Sequence, residues 1–142
     1  MNFVVDSRLI DKYFGALENK NPFNLEKALK EVRKKSRINS NDNFIGILTE
    51  RIQVAYKQIN QRNILYKSKT NQFIVILKFR MEDDSNNSGK SKGWRIISLV
   101  DNDNDFFYLL NIYSHSQGKD NLTNSEMKNL KLLCDEYAKE IT

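Results

Sequence analysis

Cysteine and histidine each occur once in this 142-residue chain, as Cys134 and His115, proline occurs once and glycine five times. A single thiol excludes an internal disulfide, and one thiol with one imidazole excludes the common structural zinc sites. The glycines at Gly89, Gly93 and Gly118 are isolated, so no phosphate-cradling loop or dinucleotide fingerprint is present, and nucleotide-driven chemistry is not indicated. No apolar run approaches the ~18 residues needed to cross a bilayer. The opening segment, residues 1–14, has no basic stretch ahead of an apolar one. These absences predict a soluble, unsecreted protein of the reducing cytoplasm that uses no metal, cofactor or membrane.

Hydrophobic residues make up 39% of the chain, charged residues 29% and aromatics 11%. With a mean hydropathy of −0.63, the chain is polar yet able to build a core. Its length is that of one domain. The formal net charge is +5, and it is unevenly spread. Residues 1–81 carry 16 Lys and Arg against 7 Asp and Glu, whereas residues 82–142 carry 7 against 11. A basic first part suits contact with a polyanion, nucleic acid being the commonest in the cytoplasm. A basic surface that only confers solubility is the plainer alternative.

Three helical patterns come first. Asp6 or Ser7 can cap a helix carrying Leu9, Ile10, Tyr13, Phe14 and Leu17, and residues 19–22 (NKNP) break it. Asn24 can cap a second, with Leu25, Ala28, Leu29 and Val32 on one face and Lys27, Lys30, Lys34 and Arg37 on another. The third is marked by Ile45, Leu48, Ile52, Ala55, Tyr56 and Ile59. Beyond Arg62 the period changes to two. Phe73, Val75, Leu77, Phe79 and Met81 alternate with Ile74, Ile76, Lys78 and Arg80, a strand whose second face ends basic. Residues 94–100 (WRIISLV) read as a strand buried on both faces, 101–105 (DNDND) as a turn, and 106–113 (FFYLLNIY) as an antiparallel return. Residues 64–69 offer one more strand, and 82–93 read as a loop.

The last helix has the clearest start, since Thr123 and Glu126 fit a capping box with Leu122 and Met127 placed as a hydrophobic staple. Met127, Leu130, Cys134, Tyr137 and Ile141 form its apolar face, which makes Cys134 a small buried hydrophobe rather than a reactive thiol. The expected architecture is α+β in a single domain, residues 1–142. Helices in residues 1–62 pack on a small twisted antiparallel sheet of three to four strands, and residues 63–142 supply that sheet and a C-terminal helix.

The residues able to do chemistry gather late in the chain: Lys78, Arg80, Lys92, Arg95, Tyr113, His115 and Lys119. Arg95 is the sharpest anomaly, because a guanidinium one residue into an apolar strand is costly without an anion beside it. Asp101 or Glu82 would serve as a structural partner, and a phosphate as a functional one, gripped by two parallel hydrogen bonds. Lys78 and Arg80 share a strand face about 7 Å apart. His115 follows the strand in a polar stretch and could take or give a proton, unless it is merely a solvated loop residue. Tyr113 lies two positions earlier and either stacks a base or packs.

The C-terminal part resembles the RelE/HigB superfamily of type II toxin–antitoxin toxins. The resemblance is carried by Leu77-Lys78-Phe79-Arg80, by Gly93-Trp94-Arg95-Ile96-Ile97, by the run from Phe107 to Tyr113, and by Lys119-Asp120-Asn121-Leu122-Thr123 with Glu126. It spans residues 64–142. It implies a RelE-like fold and cleavage of mRNA, usually on the ribosome, restrained by a cognate antitoxin. By the same resemblance Lys78, Arg80 and Arg95 would be site residues. Ser114-His115-Ser116 stand where many relatives carry Lys or Arg.

The expected function is thus a metal-independent endoribonuclease using the substrate's own 2′-hydroxyl. Lys78, Arg80 and Arg95 would stabilise the transition state, and His115 or Tyr113 would move the proton. Lys27, Lys30, Lys34, Arg37, Lys92 and Lys119 are the expected RNA-binding residues. The alternative is a non-catalytic RNA-binding or protein-interaction module on the same fold.

Overall fold

A computed structural model describes residues 1–14, 23–36, 38, 43–82, 93–114 and 122–141. In chain order the elements are β1 (Asn2–Val4), α1 (Arg8–Phe14), α2 (Leu25–Lys35), α3 (Phe44–Tyr56), a single 3-10 turn (Gln61–Asn63), β2 (Ile64–Lys67), β3 (Ile74–Met81), β4 (Trp94–Asp101), β5 (Phe106–Ser114) and α4 (Asn124–Ile141). The class is α+β, with a C-terminal helix as expected.

The sheet departs from expectation in size and in direction. It has five strands in the order β1-β5-β4-β3-β2, and it is mixed, because β1 runs parallel to β5 while the other pairs are antiparallel. The missed strand is only three residues long, too short for alternation to show. It is held by its partner instead. The ring of Phe3 stacks on Phe107 at 4.7 Å and meets Tyr56 edge-on at 5.7 Å.

Local signals set the helix starts. Asn24 accepts a hydrogen bond from the Lys27 N–H at 3.1 Å, and Asn43 accepts one from the Gly46 N–H at 3.1 Å, each satisfying a donor the helix cannot. The capping box of α4 is reciprocal: Glu126 N–H donates to Thr123 Oγ1 at 3.1 Å and Thr123 N–H donates to Glu126 Oε1 at 2.9 Å. At the head of α1, Asp6 accepts from the backbone N–H of Arg8 at 3.0 Å.

The central strand behaves as its composition requires, with every residue from Trp94 to Asp101 buried. Strand alternation divides the sheet into two faces. On one, Phe79 and Phe107 pack edge-on against Tyr56 of α3. On the other, α4 docks: the Cys134 thiol donates to the Ile74 carbonyl at 3.5 Å, and Tyr137 reaches both Asp101 and the ring of Tyr108. One hydrophobic cluster runs from Val5 to Ala138 across all these layers. Phe73, Ile45 and Ile141 were expected on apolar faces but are exposed. Each lies at or just beyond the end of its element, where the packed surface runs out.

Among the described residues no helix is long and apolar enough to cross a membrane.

Candidate functional site

Cross-strand register brings four of the candidate residues together: Lys78, Arg80, Arg95 and Tyr113. Arg80 on β3 is opposite Arg95 on β4, and Arg95 is opposite Tyr113 on β5. Directly opposed residues share a sheet face, with Cβ atoms about 5 Å apart. Lys78 lies two residues along β3 on that same face, in register with Ile97 and then Asn111. Three cations and a phenol therefore occupy one corner of the sheet. The strand ends Met81, Trp94 and Ser114 meet at this corner, so the chain leaves and re-enters the sheet here.

The four residues differ in access. Arg80 is exposed and Lys78 half-buried, whereas Arg95 and Tyr113 each keep only 5% of their surface. The Arg95 guanidinium donates through Nη1 to the Gly93 carbonyl at 3.4 Å. Gly93 itself is held close to β3, where a Cβ would stand 2.6 Å from the Met81 carbonyl oxygen. His115, Lys92, Lys119 and Arg37 lie outside the described residues.

Of the two structural partners considered for Arg95, Asp101 is engaged elsewhere. Asp101 is six residues further along β4, roughly 20 Å away at strand rise. There its Oδ2 accepts from the Tyr137 hydroxyl at 2.6 Å and the Asn104 amide at 2.9 Å, and its Oδ1 accepts from the N–H groups of Asp103 and Asn104. Burial alone would raise the Asp101 pKa. The hydrogen bonds from Tyr137, Asn104 and Asp103 outweigh it and lower the value. Burial, reinforced by Asp101, pushes the Tyr137 phenol upward. This is a structural lock and not a ligand site.

Cys134 is fully buried, and burial, with the charge of Asp135 second, pushes its thiol up to about 12. That places it with inert core cysteines.

On α2, Lys27, Lys30 and Lys34 are all exposed, together with Arg33, and their spacing places the three lysines along one side of the helix. Arg33, Lys34 and Lys35 also complement the negative end of the helix dipole, which accounts for part of this charge without any ligand.

Sequence reasoning missed a cleft of about 360 Å³ beside the cationic corner, lined by Glu50, Arg51, Val54 and Ala55 of α3, by Gln58 just past its end, and by Arg80, Met81 and Glu82. The spacing of Arg51, Val54, Ala55 and Gln58 is helical and marks one stripe. The apolar stripe of Leu48 and Ile52 is the stronger pattern on the same helix. Among the described residues no group of His, Cys, Asp and Glu side chains is arranged to hold a metal ion.

Comparison with protein-family models, curated proteins and solved structures returns no match to this chain.

Proposed function

We propose that the protein is a toxin-type mRNA endoribonuclease of the RelE/HigB kind, acting in the cytoplasm on ribosome-bound message and neutralised by a cognate antitoxin. The reading rests on one observation above the others: the row Arg80–Arg95–Tyr113, with Lys78 on the same face. Like charges opposed across a sheet are unfavourable on their own. An anion between them turns that cost into binding, and a phosphodiester has the oxygens to accept from two guanidinium groups and an ammonium at once. In the proposed reaction the 2′-hydroxyl attacks the adjacent phosphorus, the 5′-oxygen leaves, and a 2′,3′-cyclic phosphate remains. Lys78, Arg80 and Arg95 stabilise the charge that builds on the phosphoryl oxygens. His115 or Tyr113 assists proton transfer, and Lys27, Lys30, Lys34, Arg37, Lys92 and Lys119 hold RNA phosphates.

A second reading is favoured by burial. With only 5% of Arg95 and of Tyr113 exposed, a module that binds RNA through Arg80 and Lys78 without cutting it uses the accessible half of the row.

Translation of a defined mRNA in a reconstituted system separates the two. Wild-type protein and Arg95→Ala are run side by side and 5′ ends are mapped by primer extension. Cuts by wild type alone, and only on translated message, support the ribosome-dependent nuclease. Folded protein that binds RNA and leaves it intact supports the binding module.

A further inference from the structure

The edge of β3 beyond Leu77 carries a self-complementary pattern. Strand β2 pairs with β3 only as far as Ile64 opposite Leu77, so among the described residues no strand covers the stretch from Lys78 onward. The direction of its backbone groups follows from two contacts. Asn63 Nδ2 donates to the Lys78 carbonyl at 3.0 Å from the β2 side, whereas the Met81 carbonyl oxygen lies toward Gly93 and β4. In an antiparallel ladder the N–H and C=O of one residue point the same way, and successive residues alternate. Arg80 therefore turns its N–H and C=O outward, on the open edge. Glu82, one residue past the strand end, keeps the register, since its Cα stands 3.6 Å from where a Cβ on Gly93 would lie, and the same alternation turns its groups outward too. The side chains of Arg80 and Glu82, two residues apart, share a face and carry opposite charges.

An open edge is a template for another strand, and edges are usually blunted by charged side chains, proline or a bulge. Charges of opposite sign in self-complementary order deter a foreign edge but pair with a second copy. Here the ladder from Ile74 to Met81 is regular, and the charges are of both signs. Two copies brought edge to edge around a two-fold axis at Met81 set Arg80 of one copy opposite Glu82 of the other, twice. The same arrangement puts the outward N–H and C=O groups of these residues in hydrogen-bonding register. Such an isologous contact closes on itself. The two Met81 positions then face each other on the α3 side, where Val54 is 60% exposed in the bordering cleft.

We propose that the protein self-associates through this edge, the Arg80–Glu82 segment at the end of β3 pairing antiparallel with its own copy beside α3. The occupant is a second copy because the charge order reads the same in both directions across the axis. A foreign extended segment is the competing occupant.

Sedimentation velocity of the full chain, without RNA, at moderate salt and over a wide concentration range, tests this with four proteins: wild type, Arg80→Glu, Glu82→Arg and the double exchange. Both positions are exposed, and circular dichroism checks that each variant is folded. The expected result is a wild-type mass rising from 16.7 kDa toward twice that value. Each single variant, which opposes like charges twice across the axis, weakens association by roughly tenfold or more. The double exchange restores the pairs and the association. A wild type that stays monomeric overturns the proposal and leaves the edge to a foreign strand. Single variants that associate as wild type does, or a double exchange no better than the singles, overturn it as well.

Discussion

Tyr137 of α4 donates a 2.6 Å hydrogen bond to Oδ2 of Asp101, the last residue of β4, and both are buried. The carboxylate also accepts the backbone N–H groups of Asp103 and Asn104 at 2.9 Å each. One side chain thus closes the β4–β5 turn and pins the C-terminal helix to the sheet. Tyr137→Phe leaves that carboxylate a donor short, and we expect a loss of about 1–3 kcal/mol, read from the urea midpoint.

The same pair sets an acid dependence. The folded pKa of Asp101 is lowered from its ordinary value of 3.8, so its stabilisation is present above that value and is lost as pH falls through the lowered one. The advantage of wild type over Asp101→Asn in urea is therefore expected to be full at neutral pH and to shrink in strong acid. An advantage of equal size at both ends of that range contradicts this account.

For Cys134 the expectation is inertness. Its thiol, moved from 9.0 to about 12 by burial and by Asp135, carries roughly a thousandfold less thiolate at mildly alkaline pH than an ordinary cysteine, and the thiolate is the reacting species. An aromatic disulfide reagent should label the folded protein only as fast as the protein opens, and label it at once in denaturant. Rapid labelling of folded protein would refute the buried placement.

Most of the architecture was legible because its signals are local. Asn24, Thr123 and Glu126 mark helix starts by hydrogen bonds made within one turn, and the apolar run 94–100 has no lower-energy place than the middle of a sheet. What stayed hidden depends on distant partners. The strand Asn2–Val4 exists because β5 offers it an edge a hundred residues away. The Asp101–Tyr137 bond joins residues 36 apart, so the sequence alone offers Asp101 no cationic partner closer than Arg95, six positions back on the same strand. The cationic corner was half legible. Lys78 and Arg80 show their common face by spacing, whereas the alignment of Arg80, Arg95 and Tyr113 is set by register, which a single strand's sequence does not encode.

The stripe on α2 makes a prediction about salt. If Lys27, Lys30 and Lys34 each neutralise a phosphate of single-stranded RNA, replacing all three by Gln lowers the slope of log affinity against log salt by roughly 2. Affinity should fall about equally for every sequence tried, since phosphate contacts carry no base information. An unchanged slope would assign these charges to solubility and to the helix dipole.

Arg95 decides between cutting and binding, because its two roles separate in different observables. As a stabiliser of the transition state, its loss in Arg95→Ala should reduce RNA cleavage by about a hundred- to a thousandfold while RNA affinity changes far less. As a structural guanidinium, its removal should lower the unfolding midpoint and leave any nuclease activity of the folded fraction intact. Arg80→Ala supplies the contrast, since that side chain is exposed and its loss has little effect on stability. A cleavage rate that falls in both variants, with a stability loss confined to Arg95→Ala, assigns the opposed arginines jointly to the phosphate. A stability loss in Arg95→Ala with affinity lost only in Arg80→Ala assigns the row to binding.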